Sequence, residues 1–226
     1  PSTPDGPSRA IVSGICELLE LGDAGPSSIE YLGHGTTVAT NMIIERAGAR
    51  CALLTTRGFR DVLEIGRQTR PHLYDYRVRR PAPVVRRALR LEIDERVGAD
   101  GEVLSPLQME SVELAIDVMR RADVMACAIC FLHSYTNGTH ERLVAQAVAA
   151  ALPHVFVSCS RDVVPEFREF ERTSTTALNA YVGPIMGHYI KSFVERLTAT
   201  GIDVAPFTMQ SSGGLMSVQQ VVQAPV

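Results

Sequence analysis

The sequence predicts an α/β protein built on a mostly parallel sheet. Short apolar runs alternate along the chain with segments of helical period, the pattern of strands joined by helical crossovers. The most hydrophobic of these runs, Val124 to Leu132, has the uninterrupted apolar character of a strand buried on both faces. A hydrophobic content of 46% provides a sizeable core and argues against global disorder.

The elements follow in order. Ser8 to Leu21 carries Ile11, Ile15, Leu18 and Leu19 at helical spacing. Gly22 to Pro26 breaks it, and Ile29 to Leu32 reads as a short strand. Thr37 is placed to cap a helix over Val38 to Ala47, with Gly48 at its C-terminal cap. Arg50 to Thr55 is a strand, and Gly58 to Ile65 is helical. Gly66 to Pro83 is irregular, with Pro71, Pro81 and Pro83. Leu89 to Val97 alternates Leu89, Leu91 and Ile93 against Arg90, Glu92 and Asp94, as a half-buried strand does. Asp100-Gly101 signals a hairpin, with Val103-Leu104 as the returning strand. Residues 66–104 therefore read as an inserted loop and hairpin beside the main sheet.

Ser105 and Pro106 mark the start of a helix to about Ala122. After the strand Val124 to Leu132, His133 to Gly138 is a loop and Thr139 to Ala151 a helix. Val155 to Ser158 is another strand. Phe167 to about Thr200 is one long helical segment with a break expected at Gly183-Pro184. Val204 to Met209 is a strand, followed by Gln210-Ser211-Ser212-Gly213-Gly214.

The bulk properties exclude several classes. The formal net charge of −3 argues against a dedicated nucleic-acid binder. Arg67, Arg70, Arg77, Arg79 and Arg80, followed by Arg86, Arg87 and Arg90, lack an aromatic platform, so a solvated loop with some anion contacts is the preferred reading. No transmembrane helix is expected, since the chain contains no apolar run of sufficient length. The five cysteines lie among apolar neighbours and read as reduced thiols of a cytoplasmic protein. Cys127-Ala-Ile-Cys130 has redox spacing, but on a strand its two thiols face opposite sides. The chain begins at Pro1 rather than Met, so the natural start is expected upstream.

In open parallel sheets ligands gather at the carboxyl ends of strands. The run His34-Gly35-Thr36-Thr37 stands at a strand-to-helix junction, where free N–H groups and the helix dipole favour an anion. Arg57 in Thr55 to Arg60, His133 in His133 to Asn137, and Ser211, Ser212, Gly213 and Gly214 occupy other such ends. If they share one edge, the set suits an anionic or phosphorylated ligand. Each also has a plain reading as a cap, a packed histidine or a turn. Glu171 to Thr176 places six polar residues in a helical stretch, as a cleft lining or an interface would. No metal-ligating pattern, P-loop, GxGxxG, HExxH or GxSxG occurs, so a self-contained nucleotide or serine hydrolase has no motif support.

Longer runs carry a resemblance. HGTTVATN (His34 to Asn41), LLTTRGFRDVLEIGRQ (Leu53 to Gln68), Arg70-Pro71, Leu73 to Asp75, FLHSYTN with His140-Glu141, VPEFREFERTSTTALNAYVGPIM (Val164 to Met186) and MQSSGGLMS (Met209 to Ser217) resemble the hydantoinase A / 5-oxoprolinase family. Met42, Thr69 and Ser212 depart from its usual Ala, Asn and Asn. The resemblance implies an actin-like (ribonuclease H-like) ATPase fold, incomplete at both ends because the family's two glycine-rich phosphate loops are not in this chain. Residues 1–200 would then be the N-terminal-type region and 201–226 the start of the core region. The implied activity is ATP-dependent opening of a cyclic amide (hydantoin, N-methylhydantoin or 5-oxoproline) by carbonyl phosphorylation. Implied companions are ATP, a divalent metal (Mg or Mn) and a second, B-type subunit. Relatives that carboxylate acetone or acetophenone offer a second expectation, and a subunit-interaction module a third. The chain alone is expected to be inactive, to hold no cofactor and to self-associate through an open sheet edge.

Overall fold

Helix α1 (Pro7–Leu21) forms on the apolar period of Ile11, Ile15 and Leu19. The computed structural model describes residues 7–69, 74, 75, 77, 78, 80–210 and 213–225. Strand β1 is Gly33–His34, just beyond the expected Ile29 to Leu32. Ile29 and Leu32 instead pack against Val12, Phe193, Leu197 and Ile202, so their burial is that of loop residues. In α2 (Val38–Glu45) the expected cap is displaced by one residue. Thr36 Oγ1, not the Thr37 side chain, accepts from Val38 N at 3.2 Å. Arg46, at φ 56, turns the chain out of α2 before Gly48 is reached. Gly48 lies instead against the Tyr181 ring.

Strand β2 (Cys51–Thr56) is buried at every position. Helix α3 is only Val62–Ile65, because Gly58 at φ 91 and the turn from Phe59 N to Thr56 O use up the preceding residues. The expected strand Leu89 to Val97 is two strands, β3 (Arg90–Ile93) and β4 (Arg96–Val97). It breaks at Asp94, whose N–H is taken by Ser111 Oγ at 3.0 Å and whose carbonyl is taken by Gln108 N at 2.9 Å. Strand β5 (Val103–Ser105) closes the expected hairpin with β4, Gly101 adopting φ 89 in its turn. Ser105 pairs with Arg96 there, so it does not cap the next helix, α4 (Met109–Arg121).

Strand β6 (Ala126–Cys130), helix α5 (Thr139–Ala151) and strand β7 (Phe156–Cys159) fall where the sequence placed them. A one-turn helix α6 (Ser160–Val163), not anticipated, follows. Helix α7 (Glu169–Ala199) runs without a break through Gly183-Pro184. An internal proline costs a helix about 3 kcal/mol. Burial of Ala180, Tyr181, Val182 and Met186 around it offsets that cost. Strands β8 (Phe207–Met209) and β9 (Leu215–Ser217) precede α8 (Val218–Gln223). Ser217 Oγ and the Gln220 side chain form a reciprocal capping box at its start.

Contacts divide the chain into two units: residues up to Ile44 with Ile185–Pro225, and Glu45–Pro184. The second unit holds a four-stranded sheet of order β3-β2-β6-β7, parallel throughout. Pairing of β3 with β2 makes β3 an edge strand of that sheet rather than part of an insertion beside it. Only the preceding loop and the β4–β5 hairpin lie outside. Alternation along the strands sorts the two faces. Cys130 and Ser158 meet Thr173 and Asn179 of α7, whereas Cys159, of opposite parity to Ser158, reaches the Glu141 carbonyl of α5. Helices therefore cover both faces. Full burial of Leu53 and Leu54 contributes about 1.5–3 kcal/mol each.

The first unit holds a three-stranded sheet of order β1-β8-β9, in which β1 and β8 are parallel and β8 and β9 antiparallel. Its core is the cluster of Val12, Phe193, Leu197 and Ile202. Among the described residues no helix is long and apolar enough to cross a membrane.

Candidate functional site

The four strand ends singled out in the sequence do not belong to one sheet. The ends of β1 and β8 belong to the three-stranded sheet, and those of β2 and β6 to the four-stranded one. The expectation of one shared edge is thereby replaced by two separate edges, one in each unit.

In the first unit, parallel pairing of His34 with Thr208 brings the end of β1 and the turn after β8 to the same sheet edge. His34 is 7% exposed, and its Nε2 lies 2.7 Å from the Tyr189 hydroxyl. Its ring packs on Phe193 with centroids 4.7 Å apart. Burial lowers the His34 pKa, so the imidazole is neutral at pH 7. Burial also raises the Tyr189 pKa, opposed by a hydrogen bond with Thr36. His34 and Tyr189 thus form a hydrogen-bonded pair, and Thr36 Oγ1 accepts separately from Val38 N at the start of α2. A side chain at Gly35 would meet nothing within 4 Å, so the space beside that helix start is open. Gly213, at φ 88, closes the β8–β9 turn, donating to Gln210 O at 3.0 Å, while Gln210 N donates to Gly214 O at 2.8 Å. Ser211 and Ser212 lie outside the described residues.

In the second unit, Arg57 is held by Asp94, through its Nε and through Nη2 to Oδ2 at 2.6 Å. A ligand at Arg57 would compete with that carboxylate. His133, in the left-handed region at φ 56, directs Nδ1 to Val97 O at 2.9 Å, and Asn137 Nδ2 donates to Gly101 O at 2.9 Å. Both tie the loop after β6 to the β4–β5 hairpin.

Behind them the carboxyl ends of β2, β6 and β7 are filled by buried polar groups that the sequence reading did not join into one site. Thr56 Oγ1 donates to Glu95 Oε1 and accepts from Leu132 N at 2.9 Å, while Glu95 Oε2 meets His140 Nδ1 at 2.8 Å. Glu141 accepts from Phe131 N at 2.9 Å, Ser160 Oγ at 2.7 Å and Arg161 N at 3.0 Å. Desolvation pushes the Glu141 pKa up, and these donors oppose the shift. Arg172, 1% exposed, donates to Ser134 Oγ and to Ser160 Oγ at 2.9 Å and stacks over the Tyr135 ring. The polar run Glu171 to Thr176 is thus partly buried framework: Thr173 meets Cys130 Sγ at 3.2 Å, and Thr176 donates to Arg172 O at 2.7 Å. The visible signals were His140-Glu141 and Arg172, both inside the runs that carried the family resemblance. Burial pushes the Cys127 and Cys130 thiols up, which removes the thiolate that redox or metal chemistry needs.

Comparison with known proteins extends this picture. The model of the hydantoinase/oxoprolinase N-terminal region matches residues 1–152, and that of hydantoinase/oxoprolinase matches residues 172–226. The chain is 38% identical to the caprolactamase subunit alpha of Pseudomonas jessenii, over 95% of this chain and 32% of that one. It superposes on the crystal structure of the ATP-dependent caprolactamase of that organism with a TM-score of 0.86, consistent with the expected actin-like ATPase class. It is 33% identical to the 5-oxoprolinase of Saccharomyces cerevisiae, over 94% of this chain and 19% of that protein. Identity to the acetophenone carboxylase gamma subunit of Aromatoleum aromaticum is 31%, over 82% of this chain and 27% of that subunit. The chain spans about a third or less of the length of these relatives.

Proposed function

The chain belongs to the hydantoinase/oxoprolinase family, and we propose that it works within a longer subunit that opens a cyclic amide at the expense of ATP. The observation that carries this reading is its 38% identity, across 95% of the chain, to the ATP-dependent caprolactamase of Pseudomonas jessenii. Within the chain, the start of α2 is the place we assign to phosphate. Gly35 leaves room there, and the first N–H groups of the helix with its dipole favour an anion. Thr36 and Thr37 add hydroxyls, and Thr36 Oγ1 accepts from Val38 N. Neutral His34 fixes Tyr189 without adding charge.

Bound ATP would supply the phosphoryl group that makes the amide carbonyl open to attack by water. Phosphoryl transfer depends on positioning and charge neutralisation, and the chain contributes the positioning. Among the described residues no group of three or more His, Cys, Asp or Glu side chains is arranged to hold a metal. No residue of this chain is therefore assigned to the divalent ion, and no step is drawn through it. A second subunit is part of the proposal, supported by the subunit names of two relatives, and a cytoplasmic setting accords with five free cysteines.

The carboxylase reading is favoured by one observation, the 31% identity to an acetophenone carboxylase subunit. Comparison of ATP consumption by the longer subunit with its partner separates the two. Dependence on hydantoin, 5-oxoproline or caprolactam supports amide opening, and dependence on a ketone plus bicarbonate replaces it. The 226-residue chain alone is expected to show no ATP turnover. Robust turnover by it, lost in Thr36→Ala and Thr37→Ala, would overturn the proposal that it needs further segments.

A further inference from the structure

The flank of the four-stranded sheet is a separate feature from the carboxyl ends of its strands. Strand β3 forms that flank and pairs with β2 alone. Arg57 N donates to Ile93 O at 3.0 Å, so Ile93 turns its backbone groups toward β2. The direction alternates along a strand, and Arg90, Glu92 and Asp94 therefore turn theirs outward. The two ends of this outward row are already taken. Arg90 N donates to Arg87 O, Asp94 N to Ser111 Oγ at 3.0 Å, and Gln108 N to Asp94 O at 2.9 Å. Between them, the Glu92 N–H and C=O and the Arg90 C=O have no partner among the described residues.

A cavity of about 480 Å³ lies along the same row. Its wall on α4 is the face of Ser111, Leu114 and Val118, and Leu114 is 62% exposed. Arg60 and Arg90 also line it. Arg60 Nε and Arg90 Nη1 are buried and have no hydrogen-bond partner among the described residues. Arg90 meets Glu64 through Nη2 at 3.0 Å, whereas Arg60 pairs with no carboxylate among the described residues. Thr55 pairs with both Cys130 and Glu92, and Cys130 faces Thr173 of α7. Arg90 and Glu92 therefore point to the α7 side of the sheet and Leu91 to the α4 side. Along the open row β3 reads cation, apolar, anion, which is complementary to itself read backwards.

We infer that this flank is a homodimer interface, in which β3 pairs antiparallel with β3 of a second copy about a two-fold axis at Leu91. The Glu92 N–H then donates to Arg90 O of the second copy, and the reverse bond follows by symmetry. Each Glu92 carboxylate comes opposite Arg90 of the other copy, and opposite charges stabilise a cross-strand pair. It also brings an acceptor to the side of the sheet that holds the unpartnered Arg60 and Arg90 nitrogens. Leu91 faces its own counterpart on the side of the exposed Leu114. An axis at Glu92 would instead set two carboxylates against each other and bring Arg90 against Asp94, whose backbone groups α4 and the residue before it already occupy. The inference does not depend on the amide-opening reading.

The test combines sedimentation velocity of the 226-residue chain over a concentration series with disulfide trapping in a Cys16→Ser background, where the remaining native thiols are buried. A monomer–dimer equilibrium is expected. Leu91→Cys should crosslink to its own counterpart on mild oxidation, because a non-hydrogen-bonded antiparallel pair sets its Cα atoms about 4.5 Å apart. Glu92→Cys should not, because its counterpart lies two residues along the pair, beyond the ~7 Å that a disulfide spans. Glu92→Arg places like charges opposite each other and should weaken the dimer about tenfold. Circular dichroism checks that it is folded, and Leu114→Glu on the exposed wall replaces it if it is not. A monomer at every concentration, a dimer unchanged by the substitution, or crosslinking through Glu92→Cys and not through Leu91→Cys would overturn the inference. So would a Glu92 amide that gains protection from hydrogen exchange only within the longer subunit or its complex, since that assigns the flank to another segment.

Discussion

The two sheet edges of this chain are finished in opposite ways. The edge of the four-stranded sheet is closed: Thr56, Glu95, His140, Glu141, Ser134, Ser160 and Arg172 are buried and bond chiefly to one another and to backbone N–H groups. The edge of the three-stranded sheet is open: strands of two or three residues lead to Gly35, with empty space beside it, and to the Thr36 hydroxyl, next to a buried histidine–tyrosine pair. Apart from Arg172 Nε, which has no described partner, the network's side chains are paired, and such a network is a scaffold, because a ligand would have to displace partners already in place. A held hydroxyl beside free helix N–H groups is what a ligand can use. The difference assigns rigidity to one unit and ligand contact at a strand end to the other.

The largest test breaks the scaffold. Arg172→Met removes the cation that donates to Ser134 and Ser160 and leaves both buried hydroxyls without that donor. Leaving a buried hydrogen-bonding group unsatisfied costs about 1–3 kcal/mol, and this change affects two. The counterpart in the open edge, Tyr189→Phe, deletes one hydrogen bond to His34 and costs about 1 kcal/mol. Urea midpoints measure both. Equal losses would mean that the two edges are not built differently.

A smaller effect uses two glycines of α7. Glycine to alanine in a helix interior gains about 1 kcal/mol when space allows. At Gly183, in the second unit, the new Cβ would lie 2.4 Å from the Phe156 ring, and overpacking of that kind costs about 1–3 kcal/mol. At Gly187, in the first unit, the nearest atom is Val222 Cγ1 at 4.0 Å. Gly183→Ala should therefore lower the melting temperature and Gly187→Ala raise it. The same sign at both positions would remove the claim that the second unit is the more tightly filled.

What could be read from the sequence follows the same division. Strand β6 and helix α5 were legible because a continuous apolar run and an unbroken helical period left no competing pattern. Strand β1 was not, because Gly33 and His34 carry no apolar signal and pair only through the distant Phe207 and Thr208. The strand expected over Leu89 to Val97 split because Ser111 and Gln108, far along the chain, take the Asp94 backbone groups. The strand-to-helix junction at His34 to Thr37 was visible as local chemistry. Tyr189, which completes it, was not, since only tertiary folding brings it to His34. Glu141 stayed hidden because an acid in the first turn of a helix reads as a solvated, dipole-favoured charge, and only its burial gives it another meaning.

The smallest expected effect is a difference of slope with pH. Desolvation raises the Glu141 pKa above the ordinary carboxylate value of 4.5. In the window above 4.5 the folded state then holds a proton that the unfolded state has released, so this group's contribution to stability falls as pH rises. His34 runs the other way. Its folded pKa lies below 6.5, so just below 6.5 the unfolded state binds the extra proton, and stability is lost as pH falls. Segment-resolved hydrogen exchange, corrected for intrinsic rates, reads each unit by itself. Protection of Ala126–Cys130 should decline with rising pH above 4.5, and Glu141→Gln should flatten that decline. Protection of Phe207–Met209 should decline on acidification below 6.5, and His34→Asn should flatten it. Crossed dependence, with Glu141→Gln altering the profile of Phe207–Met209, would show that the closed edge and the open one are energetically a single site, and the division of labour between them would fall.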